Sequence, residues 1–217
     1  MKGALYLFIL LITGSSLRAQ PLNGDFRFEN GFYSTHKHLI SNQPSVHPDS
    51  TRFEILASGQ TGNLFAALKT AQDSTNFFDG IQYIVENGRV YINASENLNG
   101  LNRFVLLSVL GKIAMFEKDF EYREMIDVKA YNPLNGQPFR EGQVEKKTRK
   151  TIPFLLIFET GEILPFTYDY FLASITEDER LVNQVKQIDQ EDRAMKLYKC
   201  LLIYNDRNSF MIEQNKE

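Results

Sequence analysis

Apolar and polar residues alternate on either side of one turn signal: Ile81, Tyr83 and Val85 precede Asn87 and Gly88, and Val90, Ile92 and Ala94 follow them. A period of two places one set of side chains on one face of a strand, and Asn-Gly tolerates the positive φ angles of a type I′ turn. The segment therefore predicts a two-residue hairpin whose turn sets its register. Asn-Gly also stands at 23–24, 30–31, 99–100 and 135–136. These irregularly spaced reversals argue for an antiparallel sheet and against a repeat architecture.

Other strands follow from the same pattern. Gly31, Phe32 and Tyr33 predict a short one, after which Ser34 or Thr35 caps a brief helix over 36–41 that Pro44 stops. Residues 52–57 alternate as a strand, whereas 63–70 fit strand and helix equally. Residues 103–110 and 112–120 read as apolar-rich strands hinged at Gly111, and 124–131 as one more. Residues 152–158 and 162–166 flank Thr160 and Gly161 as a second hairpin. Residues 132–150 lose all periodicity, carry Pro133, Gly136, Pro138 and Gly142, and read as a long surface loop.

After Pro165 the period changes. Thr167 predicts a cap for a helix over 168–174, and Thr176 with Glu179 has capping-box spacing. Leu181, Val185, Ile188, Met195, Tyr198 and Leu202 recur at helical intervals, interrupted by the charged stretch 189–193. They predict a helix over 177–204, with a break near Gln190, laying that stripe on the sheet. Asn205 and Asp206 would end it, and the polar tail from Glu213 would fray. The fold expected is α+β: an antiparallel β-sheet, curled or half-barrel, packed against a long C-terminal helix. Its organisation is a leader over 1–19, a flexible lead-in over 20–30 that becomes ordered near Phe26 or Phe28, a β-rich domain over 31–166, a helical segment over 167–208 and a tail over 209–217.

The leader adds a compartment. Lys2, an apolar run over 4–12 and small or polar residues over 14–19 make an export signal, with Ala19 before the cut and Gln20 after it. That apolar run is far below the roughly 20 residues that span a bilayer. No cysteine stands between Gly14 and Gln20, so no acyl anchor is expected, and the mature chain should be periplasmic or extracellular with no transmembrane segment. Losing Lys2 and Arg18 with the leader takes the formal charge from −3 to −5, which disfavours nucleic acid and membrane surfaces as partners. With 43% hydrophobic residues, 17 Phe and 10 Tyr, the chain can close a core without disulfides, and Cys200, its one cysteine, reads as a small buried hydrophobe among leucines.

Candidate chemistry is sparse. His36, His38 and His47 lie close to Asp49, but imidazoles two apart share a face on a strand and not on a helix, and their spacing matches no zinc pattern. There is no Gly-x-Ser-x-Gly elbow, phosphate loop, dinucleotide fingerprint or calcium loop, and Cys200 in an apolar helix would have a raised thiol pKa. Glu117, Asp119 and Glu121 share one face if their run is a strand, with Glu124 nearby, and Glu159 and Glu162 sit across a turn. These carboxylates read as solvated rim charge, with paired-acid hydrolysis as an alternative. Lys146, Lys147, Arg149 and Lys150 read as solvated charge, and Asn93, Ala94 and Ser95 form a glycosylation acceptor pattern at a strand end. No catalytic, cofactor-binding or metal residue is assigned, and no cofactor is expected.

Gly31-Phe-Tyr-Ser-Thr-His-Lys-His-Leu-Ile-Ser-Asn-Gln-Pro-Ser45, Asn87-Gly-Arg-Val-Tyr-Ile-Asn93 and Tyr204-Asn-Asp-Arg207 resemble a family of uncharacterised exported proteins of Bacteroidota, a domain of unknown function. Phe32 and 36–38 depart from its more aliphatic and acidic pattern. The resemblance implies location and domain type and carries over no catalytic residue. The role expected is a non-enzymatic accessory or binding protein of the periplasm or cell surface. Its partner would be another envelope protein. The alternatives are a barrel-like carrier of a small apolar ligand and an exported hydrolase using paired carboxylates. A carrier requires a closed sheet around an apolar void, whereas an interaction module requires a filled core and an exposed apolar patch.

Overall fold

The computed structural model describes residues 18–47, 53–58, 62–68, 77–98, 101–131 and 133–214. In chain order these form β1 (Arg18–Pro21), β2 (Gly31–Tyr33), α1 (His36–Ile40), β3 (Phe53–Ala57), β4 (Leu64–Leu68), a 3₁₀ turn (Phe77–Gly80), β5 (Tyr83–Glu86), β6 (Arg89–Leu98) and β7 (Leu101–Val109). There follow β8 (Ile113–Tyr131), β9 (Pro138–Ile157), β10 (Glu162–Pro165), α2 (Tyr168–Ser174), α3 (Glu179–Lys186), a second 3₁₀ turn (Gln190–Asp192), α4 (Arg193–Arg207) and β11 (Met211–Gln214).

The turn chemistry acts as the sequence implies. Asn87 and Gly88 both take positive φ, 54° and 70°, and Val85 pairs with Val90 across them. Gly161 reverses the chain between β9 and β10 at φ 77°. Thr35 caps α1 by accepting from the His38 amide, and Thr167 caps α2 by accepting from that of Tyr170. Residues 64–68, ambiguous by pattern, are a strand because β7 and β3 pair with its two edges.

The strands run antiparallel in the order β10-β9-β8-β7-β6-β5-β2 and curl into a half-barrel. β6 occupies one edge of β7. The other edge forks: β4 pairs with its first part, Leu64 opposite Phe104, and β8 with its last part, Leu107 opposite Phe116. Inside the curl, Tyr83, Val85, Val90, Ile92, Val105, Leu107, Ala114, Phe116, Leu156 and Phe158 form one buried cluster, closed by Leu22, Phe26, Phe28 and Leu39. The alternate residues Ile113, Met115 and Leu155 face Phe171, Leu181, Val185, Leu197 and Leu201 of the helices in a second cluster. A third gathers Phe32, Ile84, Tyr91 and Phe104 with Leu64 and Phe78. The C-terminal helix thus lies packed on the half-barrel.

Several expectations are corrected. Residues 138–150 are strand and not part of a long loop: β8 and β9 pair in register from Ile113 opposite Ile157 to Ala130 opposite Arg140, and the described turn lies at 133–135. Period-two apolarity signals a strand only where one face is buried, and here both faces of the outer half meet water. The break expected near Gln190 is there, as the second 3₁₀ turn between α3 and α4. The cap of α3 is Asp178, which accepts from the Leu181 amide at 2.9 Å, in place of Thr176. The irregular turn resets the helical phase. Leu197, Cys200, Leu201 and Tyr204 therefore point inward on α4, while Met195, Tyr198 and Leu202 are 61%, 41% and 44% exposed. Residues 20–30 are not a flexible lead-in, because Leu22, Phe26 and Phe28 are buried and the Leu22 amide donates to the Phe210 carbonyl at 2.7 Å. The tail is not frayed through 214: β11 pairs with β1, Gln20 opposite Ile212. That pairing straddles the cleavage point expected after Ala19, with Arg18 and Ala19 before it and Gln20 and Pro21 after it.

One tether fixes the helices to the sheet. Asn205, expected to stop the helix, lies inside α4 and clasps the start of β8: its Oδ1 accepts from the Ile113 amide at 3.0 Å, and its Nδ2 donates to the Ile113 carbonyl at 2.8 Å. Gly111 makes room for it. A β-carbon there would lie 2.3 Å from the Asn205 Cγ.

Candidate functional site

Where β4 and β8 part from the shared edge of β7, the fork leaves a groove of about 540 Å³ between the sheet and α4. Leu106 and Ser108 from β7, Met115, Glu117 and Asp119 from β8 and Tyr198 from α4 line it. Strand alternation puts Glu117, Asp119 and Glu121 on one face, as the pattern predicts, and Glu124 on the other. Arg103, buried on β7, reaches across the fork to Asp119 at 2.9 Å, and the Thr151 hydroxyl of β9 donates to the same carboxylate at 2.7 Å. Thr151 first, then Arg103, holds the Asp119 carboxyl below its usual range, opposing the upward push of burial. Asp119 is therefore an ionised brace between three strands. General acid catalysis needs the opposite, a carboxyl kept protonated near neutral pH.

The remaining carboxylates are engaged outside the groove or exposed. Glu121 pairs with Lys147 at 3.4 Å, and Glu124 accepts from Thr148 at 3.2 Å with Lys146 at 4.0 Å. Lys146 and Lys147 of the basic run thus face acids across β8 and β9, as solvated pairs worth little individually. Glu159 and Glu162 are exposed on either side of the β9–β10 turn.

The histidines do not converge. His36 Nε2 donates to the Phe158 carbonyl at 2.7 Å, which leaves Nδ1 to accept from the Tyr83 hydroxyl at 2.9 Å. His38 Nδ1 meets Ser45 at 2.7 Å, and His47 is exposed. Among the described residues no group of three His, Cys, Asp or Glu side chains is placed to hold a metal ion. Burial lowers the His36 pKa, against a smaller upward push from its bond to Phe158. The unfolded chain then binds the extra proton first, so stability falls as pH drops through and below about 6.5. Thermal melts between pH 8 and 5 should show Tm falling on acidification, with a flatter dependence in His36→Gln; equal slopes would assign the effect elsewhere.

Two other sequence features are structural. Asn93 donates through Nδ2 to the carbonyls of Phe78 and Ile81 at 3.2 and 2.8 Å, and its Oδ1 accepts from the Ser95 amide. Its side chain is a clamp on the 3₁₀ turn. Cys200 is buried among the helices, and burial pushes its thiol pKa up.

No protein-family model, curated protein or solved structure matches the chain. The character of the groove therefore comes from its own chemistry. Arg103 is a residue that the sequence pattern does not single out, and the signal that could have found it is a cation set within an apolar strand, since such a residue needs a carboxylate partner nearby. The helical period places Tyr198 in the core. Only the broken helix turns it outward to the groove wall.

Proposed function

We propose that this chain is an exported, non-enzymatic binding protein that takes a segment of another envelope protein into the fork groove. The observation that carries this reading is the apolar stripe Met195, Tyr198 and Leu202, exposed on α4 with Tyr198 forming the groove wall. Exposed apolar side chains beside a concave surface mark docking sites. Leu106, Met115 and Tyr198 would seat apolar side chains of the partner. Because Arg103 already neutralises Asp119, the exposed Glu117 is the carboxylate left to receive a cationic one.

Two observations favour this over the alternatives. Among the described strands the sheet runs from β10 to β2 without the two pairing, and its described interior is filled by aromatic and aliphatic side chains, whereas a small-ligand carrier needs a closed wall around a void. Of the carboxylates in the groove, Asp119 is held ionised, whereas a paired-acid hydrolase needs one held protonated. Export rests on the leader over 1–19. A photo-crosslinking residue at Tyr198, and separately at the exposed Glu191, tests the reading in producing cells. A discrete adduct from position 198 and none from 191 is expected; equal labelling, or none from 198, would remove the groove from the function.

A further inference from the structure

Beyond Phe116 and before Phe154, β8 and β9 pair only with each other among the described strands. They leave the body as a two-stranded ribbon, roughly 50 Å long at about 3.4 Å per residue. Its described residues from Glu121 to Tyr131 and from Glu141 to Thr151 are exposed. The two faces differ. One carries Glu121, Arg123, Met125, Asp127 and Lys129 opposite Arg149, Lys147, Glu145, Gln143 and Glu141; Met125 stands alone there among charges, and the face is laced by Arg123–Glu145 at 3.4 Å, Lys129–Glu141 at 2.8 Å and Gln143 to Asp127 at 3.0 Å. The other continues the interior line of Phe116 and Phe154 outward as Phe120, Tyr122, Ile126, Val128 and Val144. Of these, Tyr122 and Val144 are close to half exposed. An isolated two-stranded ribbon is marginal in water, and burying one apolar face is what stabilises it.

We infer that a second copy of this chain covers that face, with the two ribbons packed face to face about a two-fold axis along their length. Such an axis lays each β8 residue over the β9 residue that opposes it in register. Ile126 then meets Val144 of the other copy, Tyr122 meets Thr148, Val128 fills the space over Gly142, Glu124 meets Lys146 and Phe120 meets Lys150. Each of these rows is apolar, apolar against a small residue, an ion pair or a cation over a ring, and none sets like charges together. An axis across the strands through Ile126 would instead place Glu124 over Val128 and Lys146 over Gly142, leaving both charges unpaired. The face covers about 35 by 10 Å, or on the order of 350 Å² per copy, below the ~800 Å² per partner of a standard interface. The dimer is accordingly weak and reversible.

This assembly is independent of the groove, and its failure would leave the docking proposal intact. Sedimentation velocity of the wild-type chain across a hundred-fold range of concentration should show the weight-average coefficient rising from monomer toward dimer. Glu124→Lys and Lys146→Glu should each stay monomeric, because each sets like charges together twice. An equimolar mixture of the two should regain dimer, since the new ammonium of Glu124→Lys faces the new carboxylate of Lys146→Glu, and this rescue shows that the variant ribbons are folded. Wild-type chain that stays monomeric throughout, single variants that associate as wild type does, or a mixture that remains monomeric would each overturn the arrangement.

Discussion

Gly111→Ala is expected to lower stability by about 3 kcal/mol, a fall in Tm of roughly 6–12 °C for a chain of this size. The added methyl group would sit 2.3 Å from the Asn205 Cγ, within the amide that clasps both backbone groups of Ile113. Either the amide swings away and both part-buried bonds are lost, or the β7–β8 turn shifts and drags β8 against the helices. Asn205→Ala removes the same two bonds without the clash, so it should cost about 2 kcal/mol. In the double variant the clash has no target, and its loss should fall well short of the sum of the two singles. Chemical denaturation of the four proteins checks this. Additive losses would mean that Gly111 and Asn205 act separately.

Asp119→Ala should cost about 3 kcal/mol, because it withdraws the carboxylate from an arginine that is itself buried. Replacing both partners, Arg103→Met with Asp119→Leu, should recover most of that loss, since removing a buried pair altogether is far less costly than breaking it. The pH response has a definite sign. Asp119 is lowered in the fold by Thr151 and then Arg103, so its contribution is complete above the unfolded carboxyl pKa and fades as pH falls through the folded one. Guanidinium titrations at pH 7 and pH 3 should show a smaller gap between wild type and Asp119→Ala at the lower pH. A gap that widens would contradict the brace.

The sequence discloses most where local chemistry and burial agree. Asn87-Gly88, Thr160-Gly161, Thr35 and Thr167 specify their turns and caps through their own backbone preferences, and each appears where expected. The β8 half of the outer ribbon is legible as strands over 112–120 and 124–131, but its β9 half is not, because a strand exposed on both faces has no burial to impose a period on it; its register is written in cross-strand partners such as Glu121 with Lys147. The outward turn of Tyr198 is hidden because the pattern marks a break near Gln190 but not the phase in which the helix resumes after it. The groove shares that difficulty. Arg103 and Asp119 are sixteen residues apart on adjacent strands, and only the fork at β7 makes them a brace at the mouth of a groove. Glu117, Asp119 and Glu121 share a face as strand alternation predicts, yet the role of Asp119 follows from Thr151, a residue with no chemical signature in the sequence.

Native mass spectrometry of the protein as isolated from producing cells, sprayed without detergent, distinguishes a filled body that binds at its surface from a vessel. The mass should correspond to the polypeptide, as monomer and reversible dimer, with no bound small molecule. A stoichiometric increment of lipid size that survives gentle activation would contradict the filled interior and the surface-binding role that follows from it.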